Sequence, residues 1–545
     1  MTVEMRFIAS PKIKNMKKII FVILLAISQL CFAQSTKSDP AETTQKLATT
    51  MYLIEHFYVD STDMPKLTEE AITAMLKSLD PHSAYIAADE VKKANEELVG
   101  SFEGIGVTFQ ILRDTILIVS AVPGGPSEKV GVMAGDRIVT IDGEDAFGKK
   151  VNNEYVTKHL RGEKGTKVVI GVKRGDDPEL IEFEIIRDKI PLNSINTYFM
   201  VDKKIGYIKL DKFAKQSMDE FDDALADLKK QGMKSLILDL RGNSGGYLLT
   251  AFELANEFLG SDKTVVFTEG LKSSKQVYNT DQKGQFCDGR LAILIDEGSA
   301  SASEIVSGAI QDWDRGVLIG RRSFGKGLVQ RPFNLPDGAQ IRLTTARYYT
   351  PTGRCIQRSY EEGSEEYFNE MTKRLEHGEY YHADSIHFPD SLKYYTLTSG
   401  RTVYGGGGIM PDIFMPADTA YMTKLITDLV RKNVFGSYCI DYVLNNREQI
   451  LKDYPEFAKF NKKFNINDEM LEGFKQVAID KGIDLDEGQY EQSKSYITLR
   501  IKGIIAQNVW NIDKFYQVVM KEDKVIHKAV EILNSQKEYN ELLGK

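Results

Sequence analysis

Cysteine is scarce in this chain: four in 545 residues, at Cys31, Cys287, Cys355 and Cys439. So thin a set excludes a disulfide-built scaffold, and no Cys/His pair stands at metal-ligand spacing. Histidine is nearly as rare. His377, His382 and His387 sit in a polar segment and read as surface residues, not a metal site. No metal or other cofactor is expected. Long basic runs are missing and the formal net charge is only -8, so nucleic acid is not an expected partner. Beyond the N-terminus no stretch is apolar enough to span a membrane. What is present, 42 % hydrophobic and 10 % aromatic residues, describes globular protein, and the length calls for about three or four domains.

The N-terminus reads as an export signal. Lys12, Lys14, Lys17 and Lys18 precede the apolar run Ile19 to Ile27, and Ser28-Gln29-Leu30-Cys31-Phe32-Ala33 supplies a small-residue site with cleavage read after Ala33. About 14 apolar residues fall short of the roughly 20 that a spanning helix needs. Ser28-Gln29-Leu30 is a poor lead-in to a lipidated Cys31, and Met16 would open a signal of ordinary length. The segment says exported; no membrane span is expected after cleavage. One bridge among Cys287, Cys355 and Cys439 is allowed and none is required.

Four regions follow. Residues 41–98 carry helical stripes, Leu47, Met51, Ile54 and Phe57, then Ile72, Met75, Leu76 and Leu79, stopped by Asp80-Pro81-His82-Ser83. Residues 99–188 turn to short β runs, Ile116–Val119, Arg137–Ile141 and Val168–Val172, with Asp142-Gly143 and Gly175-Asp176 as turns. Residues 189–415 alternate strand and helix: a strand at 234–239, a helix at 247–259, a strand at 291–296, a helix at 302–313 and a strand at 317–320. That alternation predicts right-handed parallel βαβ units with the strand carboxyl ends along one edge. Residues 359–400, charged and Tyr-rich without periodicity, read as an insertion away from the core. Residues 416–545 are helical, with Leu425, Leu429 and Val434 in a stripe and no recognisable chemistry. The fold class is therefore a multidomain α/β chain.

Three loops fall at that edge, where open α/β sheets place ligands. They are Arg241-Gly242-Asn243-Ser244-Gly245-Gly246, Gly298-Ser299-Ala300-Ser301-Ala302-Ser303-Glu304 and Arg321-Arg322-Ser323-Phe324-Gly325-Lys326-Gly327. A glycine-rich amide loop, a serine at a helix start and a lysine between glycines are the parts of an acyl-transfer site. Burial would lower the pKa of Lys326 and leave a neutral amine able to take the Ser301 proton. Taken singly, the serines could merely cap a helix and Lys326 could be a surface turn residue. Ser244 competes, because Gly242-Asn243-Ser244-Gly245-Gly246 satisfies G-x-S-x-G between a strand and a helix. A hydrolase built on Ser244 also needs an acid and a histidine, and none of His377, His382, His387 or His527 follows a convincing core strand.

Taken together, Ser299-Ala300-Ser301-Ala302-Ser303-Glu304, Phe324-Gly325-Lys326-Gly327 and Gln330 resemble the carboxy-terminal processing (tail-specific) serine proteases. Arg347-Tyr348-Tyr349-Thr350-Pro351-Thr352-Gly353-Arg354, Gly408-Ile409-Met410-Pro411-Asp412 and Leu79-Asp80-Pro81-His82-Ser83 resemble the same family, over about residues 45–415. The resemblance implies Ser301 as nucleophile, Lys326 as base and Gln330 orienting the lysine. It further implies oxyanion amides from Gly245 or Gly246 with Ala302, a tolerant loop position at Ser244, and a structural His82. Residues 99–188 are similar to a PDZ domain, with Gly104-Ile105-Gly106-Val107 where such domains bind a C-terminal carboxylate.

The implied function is serine endoproteolysis near the apolar C-termini of exported proteins, with protein or peptide substrates and a periplasmic setting. Arg161 is expected to couple PDZ occupancy to the active site. A homo-oligomer through the helical termini is left open. The competing functions are a catalytically silent PDZ scaffold and an α/β-hydrolase using Ser244.

Overall fold

A computed structural model describes residues 39–545 except 176, 178, 282 and 420. The signal segment with Cys31, and Asp176 of the 175–176 turn, lie outside the described residues. The chain divides into two compact units, Met1–Ala74 and Met75–Lys545. In the first, Pro40–Phe57 is a helix started by Asp39, whose side chain accepts from Ala41 N, with proline at the first turn. Leu47, Leu53 and Phe57 on this helix are exposed.

In the larger unit, the expected βαβ alternation forms a six-stranded sheet. Its order is Thr197–Met200, Ile205–Lys209, Ser235–Asp239, Arg290–Ile295, Val317–Gly320, Ile413–Phe414. The first pair is antiparallel and every later pair parallel. Central parallel strands are covered on both faces, which is why their residues run apolar without interruption. Leu236, Leu238, Leu291 and Ile293 pack with the helices Ser217–Lys230, Leu248–Asn256 and Ala302–Asp312. Ile237, Ala292, Leu294 and Ile319 point the other way. They meet Ile526, Ala529, Ile532 and Leu543, from the helices Lys524–Asn534 and Gln536–Leu542 and the residue just beyond them.

Residues 524–543 therefore supply the second layer over the parallel sheet, whereas the sequence suggests only one undivided helical region. Residues 425–518 build a separate helical core of their own around Phe435, Phe460, Phe474 and Ile501.

A second, antiparallel sheet joins Ala84–Ile86, Gln340–Tyr349, Thr264–Gly270 and Ser273–Asn279, with Leu328–Asn334 also paired to Gln340–Tyr349. The strand after Lys326 thus runs back against residues 340–349. The β-rich region has the order Val107–Leu112, Thr115–Ala121, Arg137–Ile141, Lys167–Lys173, Ile181–Ile186, with the helix Asn153–Leu160. Ile116, Ile118, Ile138, Val168 and Ile170 fill its core. Among the described residues no helix is long and apolar enough to cross a membrane.

Candidate active site

Each of the three loops is held by buried polar side chains that the local sequence places there. After Ser235–Asp239 the buried Asp239 is gripped by Arg241, Nε to Oδ1 at 2.9 Å and an Nη to Oδ2 at 2.6 Å, and receives the Tyr207 hydroxyl at 2.8 Å. Arg241 also pairs with Asp523 at 2.9 Å, the residue that caps the helix Lys524–Asn534. Fully buried Asn243 pins the loop: its Nδ2 donates to Leu210 O at 2.8 Å and its Oδ1 accepts from Gly245 N at 2.8 Å. Its own carbonyl accepts from Ala300 N and Ser303 Oγ, which ties the first loop to the second.

Gly245 lies at φ +100°, where a Cβ would meet Ala300 O and Ser301 Cβ at 2.8 Å each, so only glycine allows this approach to Ser301. The Gly245 amide is engaged by Asn243. The amides of Gly246 and Ala302 have no acceptor among the described residues.

Ser301 ends its loop at φ 55°, ψ −112°, a backbone state that costs a residue with a side chain on the order of 1–3 kcal/mol. The next residue opens the buried helix Ala302–Asp312.

One residue that sequence reasoning passed over binds this site together. Glu304, fully buried, accepts Ser301 N at 2.8 Å and Lys326 N at 2.9 Å on one carboxylate oxygen. On the other it accepts Gly325 N at 2.7 Å and Ser323 Oγ at 2.6 Å. Burial pushes its carboxyl pKa up, against the pull of those four donors. The signal for it was visible: a glutamate three places after a serine at a helix start is a capping pattern. What no local pattern shows is that the same carboxylate reaches the lysine loop. Tyr348 adds a second tie, its hydroxyl lying 3.0 Å from Ser301 O and 2.7 Å from Lys326 O.

Lys326 is half-buried, and burial lowers its pKa against the attraction of Glu304 and Asp80. Its Nζ donates to Gln330 Oε1 at 3.1 Å. Among the described residues it makes no hydrogen bond to Ser301 Oγ. Ser301, Lys326 and Gln330 therefore share one frame, with the amine turned toward the glutamine. Ser244 is exposed, and its Oγ accepts from Lys212 Nζ at 3.1 Å; Lys212 is itself paired with Glu97. His377, His382, His387 and His527 are all exposed.

The segment 359–400 departs from its expected place. Its helix Ser364–Glu376 is seated on the lysine loop, with Arg374 donating to Ser323 O at 2.9 Å and Tyr367 buried. Sequence periodicity missed it because the buried groups are a guanidinium and a phenol satisfied by carbonyls and rings, not an apolar stripe.

In the β-rich region Ile105 is buried, and its carbonyl accepts Ser127 N and Ser127 Oγ, while the Gly106 amide donates to no acceptor among the described residues. Val107–Leu112 pairs on one side only, with Thr115–Ala121, leaving the other edge without a strand among the described residues. Gly104 forms a bridge with Arg161. The Arg161 guanidinium donates to Glu96 at 2.6 Å and lies 4.3 Å over the Phe102 ring.

Comparison with known proteins places this arrangement. Residues 204–363 match peptidase family S41, 104–185 a PDZ domain, and 25–90 the N-terminal domain of the activating protease CtpB. Residues 425–511 match a family of unknown function. A carboxy-terminal-processing protease of Bartonella bacilliformis is 35 % identical over 353 residues, 63 % of this chain and 80 % of the relative. A CtpA-like serine protease of Staphylococcus aureus is 34 % identical over 322 residues, 59 % of this chain and 64 % of the relative, so the match spans a little under two thirds of that protein. The solved photosystem II D1 C-terminal processing protease aligns at 27 % identity over 57 % of this chain and 89 % of its own, with a TM-score of 0.34, too loose a superposition to bear on the fold.

The family matches define a serine-type peptidase with a PDZ domain. Within that class, the chain belongs to the carboxy-terminal-processing proteases of peptidase family S41.

Proposed function

We propose that the protein is an endopeptidase that trims exported proteins near their C-termini, with Ser301 as nucleophile and Lys326 as its base. The observation that carries this reading is the Glu304 carboxylate shared by the Ser301 and Lys326 amides, which sets both loops against one anchor. A solvated surface lysine, as a silent PDZ scaffold would have, does not fit the burial that lowers the Lys326 pKa.

In the reaction, the neutral Lys326 amine takes the Ser301 hydroxyl proton as Oγ attacks the scissile carbonyl. The negative oxygen that forms is met by the amides of Gly246 and Ala302, with Gly245 keeping the loop close to Ser301. Collapse breaks the C–N bond as Lys326 returns the proton to the leaving amine, giving an acyl-enzyme ester. Water, deprotonated by the same lysine, then attacks the ester, and the lysine passes that proton to Ser301 Oγ as the Oγ–C bond breaks and a carboxylate leaves. Gln330 orients the amine. Because Nζ faces Gln330 in this structure, productive binding includes a rotation of the Lys326 side chain toward Oγ.

The loop Gly104-Ile105-Gly106-Val107 presents the open Gly106 amide to a C-terminal carboxylate, and the unpaired edge of Val107–Leu112 takes up the substrate as an added strand. An apolar final residue is the preferred ligand. Arg161, joining Gly104 to Glu96, carries PDZ occupancy toward the core. On this reading the chain comprises a signal segment to residue 33, helices at 41–98, a PDZ domain at 99–188, a core at 189–415 and a helical region at 416–545, in an exported, periplasmic protein.

The test is cleavage of an unfolded protein with an apolar C-terminus. Ser301→Ala and Lys326→Ala should each abolish it, and a serine-reactive fluorophosphonate should attach to Ser301. Full activity in either variant, or loss of activity in Ser244→Ala with labelling at Ser244, refutes the assignment.

A further inference from the structure

Gln330 can orient a lysine only if its own amide is held one way round, and the structure shows what holds it. While Gln330 Oε1 accepts from Lys326 Nζ, Gln330 Nε2 donates to the main-chain carbonyl of His82. With the nitrogen claimed by a carbonyl, only the oxygen can face the amine.

His82 in turn sits in a turn fixed from two sides. From within, the buried Asp80 carboxylate accepts His82 N and Ser83 N at 2.8 Å each, Ser83 Oγ at 2.5 Å and Thr344 Oγ1 at 3.1 Å. Thr344 stands opposite Gln330 in the strand register. From outside, the His82 ring nitrogen Nε2 lies 2.9 Å from the hydroxyl of Tyr367, with the two rings edge to face at 5.2 Å.

Tyr367 comes from the helix Ser364–Glu376, which has its own grip on the lysine loop. The Tyr367 ring and that of Phe324, edge to face with each other, both lie against the buried Arg358 guanidinium at 3.9 and 4.0 Å, and Glu370 pairs with that guanidinium at 3.2 Å.

We propose that Tyr367 is a positioning residue for the catalytic base: through its hydrogen bond to His82 it fixes the carbonyl that orients Gln330, and Gln330 fixes Lys326. The inserted segment is then a brace for the base. This rests on Ser301 and Lys326 being nucleophile and base. Burial and the neighbouring Lys326 bring the His82 pKa down to about 4, so the ring is neutral and adds no second charge beside the lysine. The charged groups facing Lys326 are Glu304, Asp80, Arg342 and Lys212; those facing His82 are Lys326, Asp80 and Arg358.

The experiment compares full-length wild type with Tyr367→Phe, His82→Ala and His82→Gln, using a fluorogenic peptide and fluorophosphonate labelling across pH. Tyr367→Phe keeps the ring over Arg358 and removes only the hydroxyl. It should lower kcat about fivefold, the scale of one lost neutral hydrogen bond, and leave KM unchanged. The acid limb of the kcat and labelling profiles should move to higher pH, as water reaches a less firmly held Lys326 amine. His82→Ala should reproduce both effects, and His82→Gln, whose amide nitrogen can take the place of Nε2, should restore them.

Unchanged kcat and an unmoved limb in Tyr367→Phe and His82→Ala overturn the proposal, as does a loss explained wholly by a smaller folded fraction. Activity surviving in Lys326→Ala instead overturns the dyad itself, so the two failures are told apart.

Discussion

Replacing Glu304 by glutamine is the most searching perturbation of this site. One carboxylate oxygen accepts Ser323 Oγ and Gly325 N; the other accepts Ser301 N and Lys326 N. A glutamine amide keeps one acceptor and sets an NH2 group against the other two donors. Hydrogen bonds to a charged group are worth roughly 1.5–3 kcal/mol each, so two lost bonds amount to about 3–6 kcal/mol. Part returns because the amide carries no charge into a fully buried site, the same burial that raises the Glu304 pKa. A net loss of about 2–4 kcal/mol in folding stability is expected, measured by urea unfolding.

Whichever way the amide settles, two donors are released, either the Ser301 and Lys326 amides or the Gly325 amide and the Ser323 hydroxyl. Misplacement of a reacting group by about 1 Å can cost on the order of a hundredfold, and kcat should fall by at least that much. The assay is single-turnover cleavage alongside fluorophosphonate labelling of Ser301. Ser323→Ala, which removes one donor only, should fall between wild type and Glu304→Gln on both measures. A Glu304→Gln protein with an unchanged unfolding midpoint and kcat within about twofold of wild type would refute the reasoning.

The pH dependence has a definite sign. Burial lowers the Lys326 pKa in the folded protein, so kcat/KM should climb with pH through an acid limb lying below the ordinary lysine range. Folding stability should also rise with pH between the lowered folded pKa and the unfolded one, because the unfolded chain binds the extra proton there; Lys326→Met should remove that slope. Gly245→Ala forces a Cβ to within 2.8 Å of Ala300 O and Ser301 Cβ and should abolish labelling of Ser301 while leaving PDZ peptide binding intact by calorimetry. Arg354 and Asp312 form a pair with both side chains fully buried, so Arg354→Met should cost about 3–5 kcal/mol in thermal or urea unfolding by stranding the carboxylate.

Much of this protein was legible in local sequence. The strand 317–320 and the helix starting at Ala302 fall where the sequence puts them, because so short an apolar run flanked by glycine has no room for a helix, and a serine followed by glutamate three places on opens one. The three loops at one sheet edge follow from the parallel βαβ rule, and the glycines flanking Lys326 announce close backbone approach. Less legible was anything whose partner is remote in the chain. The segment 359–400 carries no apolar stripe, yet its Arg374 and Tyr367 are buried because carbonyls of residues 323–324 and the His82 ring satisfy them.

By itself, then, the chain's order of residues determined the strands and helices of the parallel sheet, their succession and which groups are candidates for the chemistry, since each depends on neighbours within a few positions. Only the tertiary structure decided that residues 524–543 close the far face of the core sheet, that Glu304 joins two loops, and that the Lys326 amine turns toward Gln330. Those choices rest on buried hydrogen bonds and packing between segments far apart in sequence, where a donor finds its acceptor only after the backbone has brought the two together.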